Sequence, residues 1–242
     1  MRSRSLLWPS LWAALGVLLL AGLGTWQLER LQWKEGLIAA REAGLHAPTA
    51  DLPETLDEAR AREFHPVRAD GEFLNEHELY LHAASKRGEL GYHIVTPLLL
   101  ADGSVLLVDR GFVPSDHKTA ATRLSGEPTG VVKMSGLLRL APEGKPGWFT
   151  PDNDAAGNSW YYVDIPAMAQ ATGLARVLPY YVDAAPNANP AILPQGGQTI
   201  TDLPNDHLQY ALTWYALAVA LVVIYIRFAR RRLKETDPDS LR

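Results

Sequence analysis

Residues 204–225 read PNDHLQYALTWYALAVALVVIY. From Leu208 to Ile226 no residue is charged, and Arg227, Arg230, Arg231 and Arg232 follow at once. Those nineteen uncharged residues rise about 28 Å as a helix, roughly the thickness of a bilayer's hydrocarbon core. The stretch predicts a transmembrane helix over residues 207–226. Pro204, Asn205 and Asp206 supply its start: a proline break, then two residue types that cap a helix N-terminus. His207 falls in the first turn, where headgroups meet hydrocarbon, and Gln209, Tyr210, Thr213 and Trp214 make this end polar and aromatic.

An imidazole at that depth has two readings. One is an interfacial histidine bonded to water or headgroups, beside Trp214 and Tyr215 in an aromatic belt. The other is an axial ligand for an iron porphyrin between helices, because neutral imidazole is a common haem ligand.

A second apolar run lies at the other end of the chain. Ser5–Leu28, SLLWPSLWAALGVLLLAGLGTWQL, is uncharged between Arg2 and Arg4 on one side and Glu29 and Arg30 on the other. A cleaved signal peptide would begin in the same way. The run exceeds a usual signal core and no convincing small-x-small site separates it from the amphipathic sequence beyond, so it predicts a retained anchor over residues 6–28. Both spans carry arginines on their outer sides. The positive-inside rule then puts residues 1–5 and the 227–242 tail in the cytoplasm and residues 29–206 outside it.

That outer segment holds 15 Lys and Arg against 24 Asp and Glu. An acidic domain of this kind does not bind nucleic acid, and the terminal arginines are explained by topology and anionic lipid. The chain contains no cysteine, which removes thiolate metal sites, disulfides and covalent c-type haem attachment.

Trp26, Arg30 and Trp33 recur at i, i+4 and i+7, which predicts that the first helix continues beyond the membrane through residue 45. An acidic connector with a short helix at Glu54–Arg62 follows. Strands are predicted at Phe64–Leu74, Glu78–Ala83, Tyr92–Leu100 and Ser104–Phe112, with turn signals at Asp70-Gly71 and Asp102-Gly103. The second signal separates two apolar runs and makes Tyr92–Phe112 a hairpin. Val131–Leu140 and Ser159–Val163 are expected to form another strand pair around an exposed loop at Ala141–Asn158. A helix at Ile165–Thr172 stopped by Gly173, a strand at Pro179–Asp183 and a Pro- and Gly-rich return over 184–206 complete the segment. The expected architecture is two transmembrane helices flanking a mainly antiparallel β (α+β) domain, its sheet curled into a partly closed barrel.

Five histidines (His65, His77, His82, His93 and His117) lie in the strand-forming part of this segment without HxH or HxxxH spacing, which favours ordinary strand and surface positions over a metal site. Asp109-Arg110-Gly111 reads as a buried ion pair and a tight backbone turn at a strand end. No GxSxG elbow, phosphate loop or HExxH occurs, and nothing points to catalysis. The membrane-proximal residues are richer. Trp26, Gln27, Arg30 and Trp33 follow the first span, while His207, Gln209, Tyr210 and Trp214 open the second. Paired helices would offer an axial nitrogen, flat apolar walls and Arg30 for a propionate, an inventory that suits a porphyrin. It suits docking of another membrane protein as well.

Four segments, in order, resemble the surfeit-locus (Shy-type) family of cytochrome c oxidase assembly factors: GTWQLERLQWKEGLI, GYHIVTPLLLADGSVLLVDRGFVP, NSWYYVDIPAMAQATG and NDHLQYALTWYALA. The resemblance covers nearly the whole chain and departs where the family has WV and this chain has Phe112-Val113. It implies a non-enzymatic accessory that aids insertion of haem A into the oxidase catalytic subunit, receiving it from haem A synthase or another haem donor. It also implies His207 as the haem-iron ligand; Trp26, Arg30, Tyr210 and Trp214 are the candidate cofactor-binding neighbours from the membrane-proximal inventory. Trp26, Arg30, Arg110 and Gly111 match family motif positions without an assigned role. No transit-type leader precedes the first span, which favours a bacterial inner membrane with the main domain periplasmic. An assembly scaffold that grips the nascent oxidase subunit without binding haem is the alternative.

Overall fold

The computed structural model describes residues 6–85 and 88–236. The predicted N-terminal cytoplasmic segment with Arg2 and Arg4, and the end of the tail beyond residue 236, lie outside the described residues. The chain divides into a helical unit, residues 1–40 with 202–242, and a β unit, residues 41–201.

Two antiparallel helices make the helical unit. Helix α1 (Leu7–Leu45) runs unbroken past the predicted membrane boundary at residue 28, as the Trp26/Arg30/Trp33 periodicity requires. Helix α4 (His207–Thr236) continues through the arginines beyond the predicted end at residue 226. Each is long and apolar enough to cross a membrane. Small residues let them approach: a β-carbon on Gly16 would lie 2.9 Å from Leu221, and one on Gly24 2.9 Å from the Tyr215 ring. Ala211 and Ala218 are buried on the facing side of α4. Close backbones and cross-helix hydrogen bonds replace the hydrophobic effect as the source of association in lipid. Leu11, Leu15, Leu18 and Leu19 on α1, and Leu212, Val219 and Val223 on α4, remain exposed on the outside of this pair, as lipid-facing positions should.

Among the described residues the β unit contains eight strands. They are β1 (Ala50–Asp51), β2 (Pro66–Phe73), β3 (Leu79–Ala84), β4 (Leu90–Leu100), β5 (Val105–Pro114), β6 (Val131–Arg139), β7 (Ser159–Trp160) and β8 (Val177–Ala184). Their order is β1-β2-β6-β8-β5-β4-β3-β7, and β2 also pairs with β4. That extra pairing closes a five-stranded barrel, β2-β6-β8-β5-β4. Four of its five seams are antiparallel and β5–β8 is parallel. The 92–112 hairpin forms as expected, with Gly103 at φ +78° and its N–H donating to the Leu100 carbonyl at 2.9 Å.

Three expectations are corrected. Asp70-Gly71 is no turn: Gly71 sits inside β2 opposite Leu100, where a β-carbon would lie 2.5 Å from the Leu99 carbonyl oxygen. Glycine is required there because the barrel closes at that point. Val131–Leu140 and Ser159–Val163 do not pair with each other. Strand β6 lies between β2 and β8, while β7 adds parallel to β3. The triplet Asp109-Arg110-Gly111 likewise lies within β5, which runs on to Pro114.

The barrel interior holds Val67, Leu98, Leu106, Val108, Leu138, Tyr180 and Val182, nearly all fully buried. Each such aliphatic side chain contributes roughly 1.5–3 kcal/mol. Helix α2 (Leu56–Ala61) adds Ala59 to this core, and the Tyr180 hydroxyl donates to the Pro53 carbonyl at 2.6 Å. On the outer face, helix α3 (Ile165–Thr172) buries Ile165 and Met168 against Leu79, Val95, Leu107 and Trp160. Its ends follow local chemistry: the Asp164 side chain accepts from Ala167 N at 3.0 Å, and Gly173 stops it at φ +68°, as capping rules predict.

Candidate functional site

In the helical unit, His207 occupies the first position of α4, and the first backbone bond of that helix runs from Tyr210 N to Asp206 O at 3.2 Å. Its half-buried imidazole turns toward α1, where Nδ1 lies 2.7 Å from Oε1 of Gln27. Nδ1–H donates and the amide oxygen accepts. A neutral ring held this way keeps its lone pair on Nε2, the arrangement by which a second partner orients a ligating histidine. Two further bonds cross the pair at greater depth: Thr25 Oγ1 to the Tyr215 hydroxyl at 3.0 Å, and Ser10 to Tyr225. Tyr215 is therefore a helix-pairing residue.

The other predicted residues take up more open positions. The Arg30 guanidinium lies 4.2 Å from the centre of the Trp33 ring, and with Trp26 these side chains form one exposed stripe along α1. Trp26 is 51% exposed and Tyr210 55%, while Trp214 is half-buried. His207 and Gln27 are thus brought into contact, and Trp26, Arg30 and Tyr210 stand on accessible helix surface. A shallow groove of about 560 Å³ runs beside Asn205, Gln209, Leu212 and Thr213 on α4. Chemically the end of the pair presents a tautomer-fixed imidazole, a cation and flat aromatic surface, all reachable from outside.

Among the described residues the β unit holds two buried ionic clusters, of which the sequence showed only Asp109 and Arg110. In the first, His93 Nδ1 lies 2.6 Å from Asp109 Oδ2. Burial lowers the affinity of this imidazole for its proton, but the neighbouring Asp109 carboxylate outweighs that and the His93 pKa is raised. Asp183 accepts from Arg139 Nη1 and Thr199 Oγ1, both at 2.8 Å. Burial, then the nearby Asp109 carboxylate, push Asp183 up to about 6 against the pull of Arg139. In the second cluster, Arg123 clasps Glu78 with both terminal nitrogens and reaches Glu127 at 3.2 Å, and Arg110 lies 3.4 Å from Glu78. Asp109 and Arg110 are buried and ion-paired as expected, each with a partner from outside the triplet. Among the remaining histidines, His82 stacks on Tyr161 with rings 4.5 Å apart and meets the Ser159 hydroxyl at 2.8 Å.

The sequence model of the SURF1 family matches residues 14–219. The chain is similar to Surfeit locus protein 1 of Mus musculus, with 38% identity over 226 residues, covering 87% of this chain and 72% of that protein. It is similar to Surfeit locus protein 1 of Homo sapiens at 36% identity, covering 85% and 72%. A SURF1-like protein of Monosiga brevicollis is 35% identical, covering 91% of this chain and 87% of its own length.

Proposed function

This chain belongs to the SURF1 family, whose members are cytochrome c oxidase assembly factors, and from that premise we propose that it holds haem A in transit to the oxidase catalytic subunit. The observation that carries the reading is the His207–Gln27 hydrogen bond of 2.7 Å, which engages Nδ1 and leaves Nε2 to ligate. The other candidate residues suit the cargo chemically: Trp26 and Tyr210 offer flat apolar surface, Trp214 a half-buried indole, and Arg30 a cation for a propionate. Haem iron bound there would gain one axial nitrogen. The protein's own work is to orient that nitrogen through Gln27 and to leave the site open on one side, so that the cargo can depart. On this reading the protein sits in a bacterial inner membrane with residues 29–206 in the periplasm, as the arginines flanking both spans suggest. Haem A synthase or another donor loads it.

A second reading is favoured by the exposure of Trp26 and Tyr210: the same aromatic surface grips the nascent oxidase subunit, and the chain is a scaffold. His207→Ala separates the two. Under the haem reading the protein inserts normally, since Ala is a better helix former than His, while co-purifying haem falls sharply and its Soret band vanishes or shifts. Gln27→Leu, which removes only the orienting acceptor, should weaken haem retention about 10- to 100-fold. Wild-type haem content and spectrum in His207→Ala would reject the haem reading and leave the scaffold.

A further inference from the structure

We propose that the mouth of the five-stranded barrel, beneath the strap formed by residues 186–194, is a binding site for a small organic anion with an apolar body. The cavity there measures about 430 Å³, within the range of small-molecule sites, which favour barrel mouths. Phe73 from β2, Met134 from β6 and Ala184 from β8 form its apolar floor, and Ile192 of the strap covers it. Helix α2 adds Ala59 to the core near Leu52, Leu100 and Leu178, at the opposite end of the barrel, so the mouth is the end left for a ligand.

The anion preference comes from Arg110, which lines the cavity. Its side chain is only 8% exposed, and its guanidinium stacks 4.9 Å from the centre of the Phe73 ring. The two arginines of this cluster share their carboxylates unequally. Arg123 takes both oxygens of Glu78 and one of Glu127, whereas Arg110 has a single 3.4 Å approach to Glu78 Oε1. The other bonds of Arg110 go to neutral acceptors, Asn75 Oδ1 and the Gly126 carbonyl, through Nη1 and Nη2; among the described residues none uses Nε. Its positive charge is therefore the less compensated of the two and borders an apolar chamber. Burial pushes its pKa down. A carboxylate carried on an aromatic or short aliphatic body supplies both what the floor and what the guanidinium lack.

The strap is built to hold this shape. Asn187 Nδ2 donates to the Ile192 carbonyl at 2.9 Å and the Pro194 carbonyl at 2.7 Å. Gln195 then exchanges two backbone bonds with Phe112, at 2.8 and 3.0 Å. The roof is a fixed cover, and the site is largely formed before a ligand arrives.

The chain has only three methionines, and two of them make the test. Met134 lines the cavity, and Met168 is fully buried in the other core cluster. The full-length protein, labelled with carbon-13 at its methionine methyls and held in lipid nanodiscs, is titrated with 4-phenylbutanoate and separately with the neutral 4-phenylbutanamide. The expected result is a saturating shift of the Met134 resonance with Met168 unmoved, and about tenfold weaker binding of the amide, the worth of one charge-assisted hydrogen bond. Ile192→Trp, which fills the cavity from the strap, should abolish the Met134 response while Met168 reports an intact fold. An unmoved Met134 overturns the proposal, as do equal affinities for acid and amide, a response surviving in Ile192→Trp, or joint non-saturating drift of both methionines.

Discussion

Replacing Gly111 with alanine asks how firmly the strap is seated on the barrel. Gly111 has φ +113°, a conformation closed to L side chains except at a cost of roughly 1–3 kcal/mol. A β-carbon there would also fall well inside contact distance of the Gln195 carbonyl, which is itself the acceptor for Phe112 N at 3.0 Å. Relieving that overlap moves Gln195 away and breaks both of its bonds to Phe112, at roughly 0.5–1.5 kcal/mol each. The whole perturbation comes to about 2–6 kcal/mol, which for a domain of this size lowers the unfolding midpoint by roughly 4–24 °C. Near-ultraviolet circular dichroism of the full chain in nanodiscs, heated through the transition of the β unit, measures it. Gly130→Ala is the control: its φ is +72° with nothing within 4 Å of the new carbon, so it carries backbone strain alone, about 1–2 kcal/mol. If the two variants melt together, Gly111 is not pinned by the strap and the reasoning fails.

Two further perturbations probe the buried charges. Glu78→Gln leaves Arg123, whose side chain is fully buried, with Glu127 as its remaining carboxylate; the midpoint should drop by the equivalent of about 3 kcal/mol, the low end for breaking a buried pair, in the same dichroism assay. Acidification should stabilise the β unit. Asp183 binds its proton more tightly folded than unfolded, because burial and Asp109 push it up to about 6, so its contribution is complete below about pH 4 and is lost as pH rises through 6. His93, raised by Asp109 against burial, acts in the same direction at higher pH. Between pH 7.5 and 5 the midpoint should therefore rise, by about 1.4 kcal/mol for Asp183, one pH unit below its folded pKa, and Asp183→Asn should flatten the profile; a midpoint that falls over this range contradicts the assignment.

What was legible in the sequence was what short-range chemistry decides. The 92–112 hairpin shows because its turn separates two apolar runs, and α3 shows from Ile165 to Thr172 because Asp164 and Gly173 announce its ends. Barrel closure is invisible at that range. Gly71 looks like a turn glycine next to Asp70, yet its reason for being glycine is the Leu99 carbonyl almost thirty residues away. The parallel seam between β5 and β8 escapes for the same cause, since a strand's own alternation says which face is buried and not which neighbour it meets.

The site divides along the same line. His207 announces itself, because an imidazole at the start of an uncharged span is unusual enough to be read from one position. Its partner does not. Gln27 is 180 residues away, and only the register of two helices selects it over neighbouring polar side chains. That register is fixed in part by residues that look unremarkable in sequence. Gly16 and Gly24 admit Leu221 and the Tyr215 ring to close approach, and Thr25 and Ser10 then meet the Tyr215 and Tyr225 hydroxyls. Water is scarce at that depth, so each hydroxyl does better with a partner across the pair than without one. One turn of slip would displace the helices by about 5.4 Å and unmake every one of these bonds, the His207–Gln27 bond among them. The orientation of a single imidazole at the membrane surface thus depends on small and hydroxylic residues buried several turns below it.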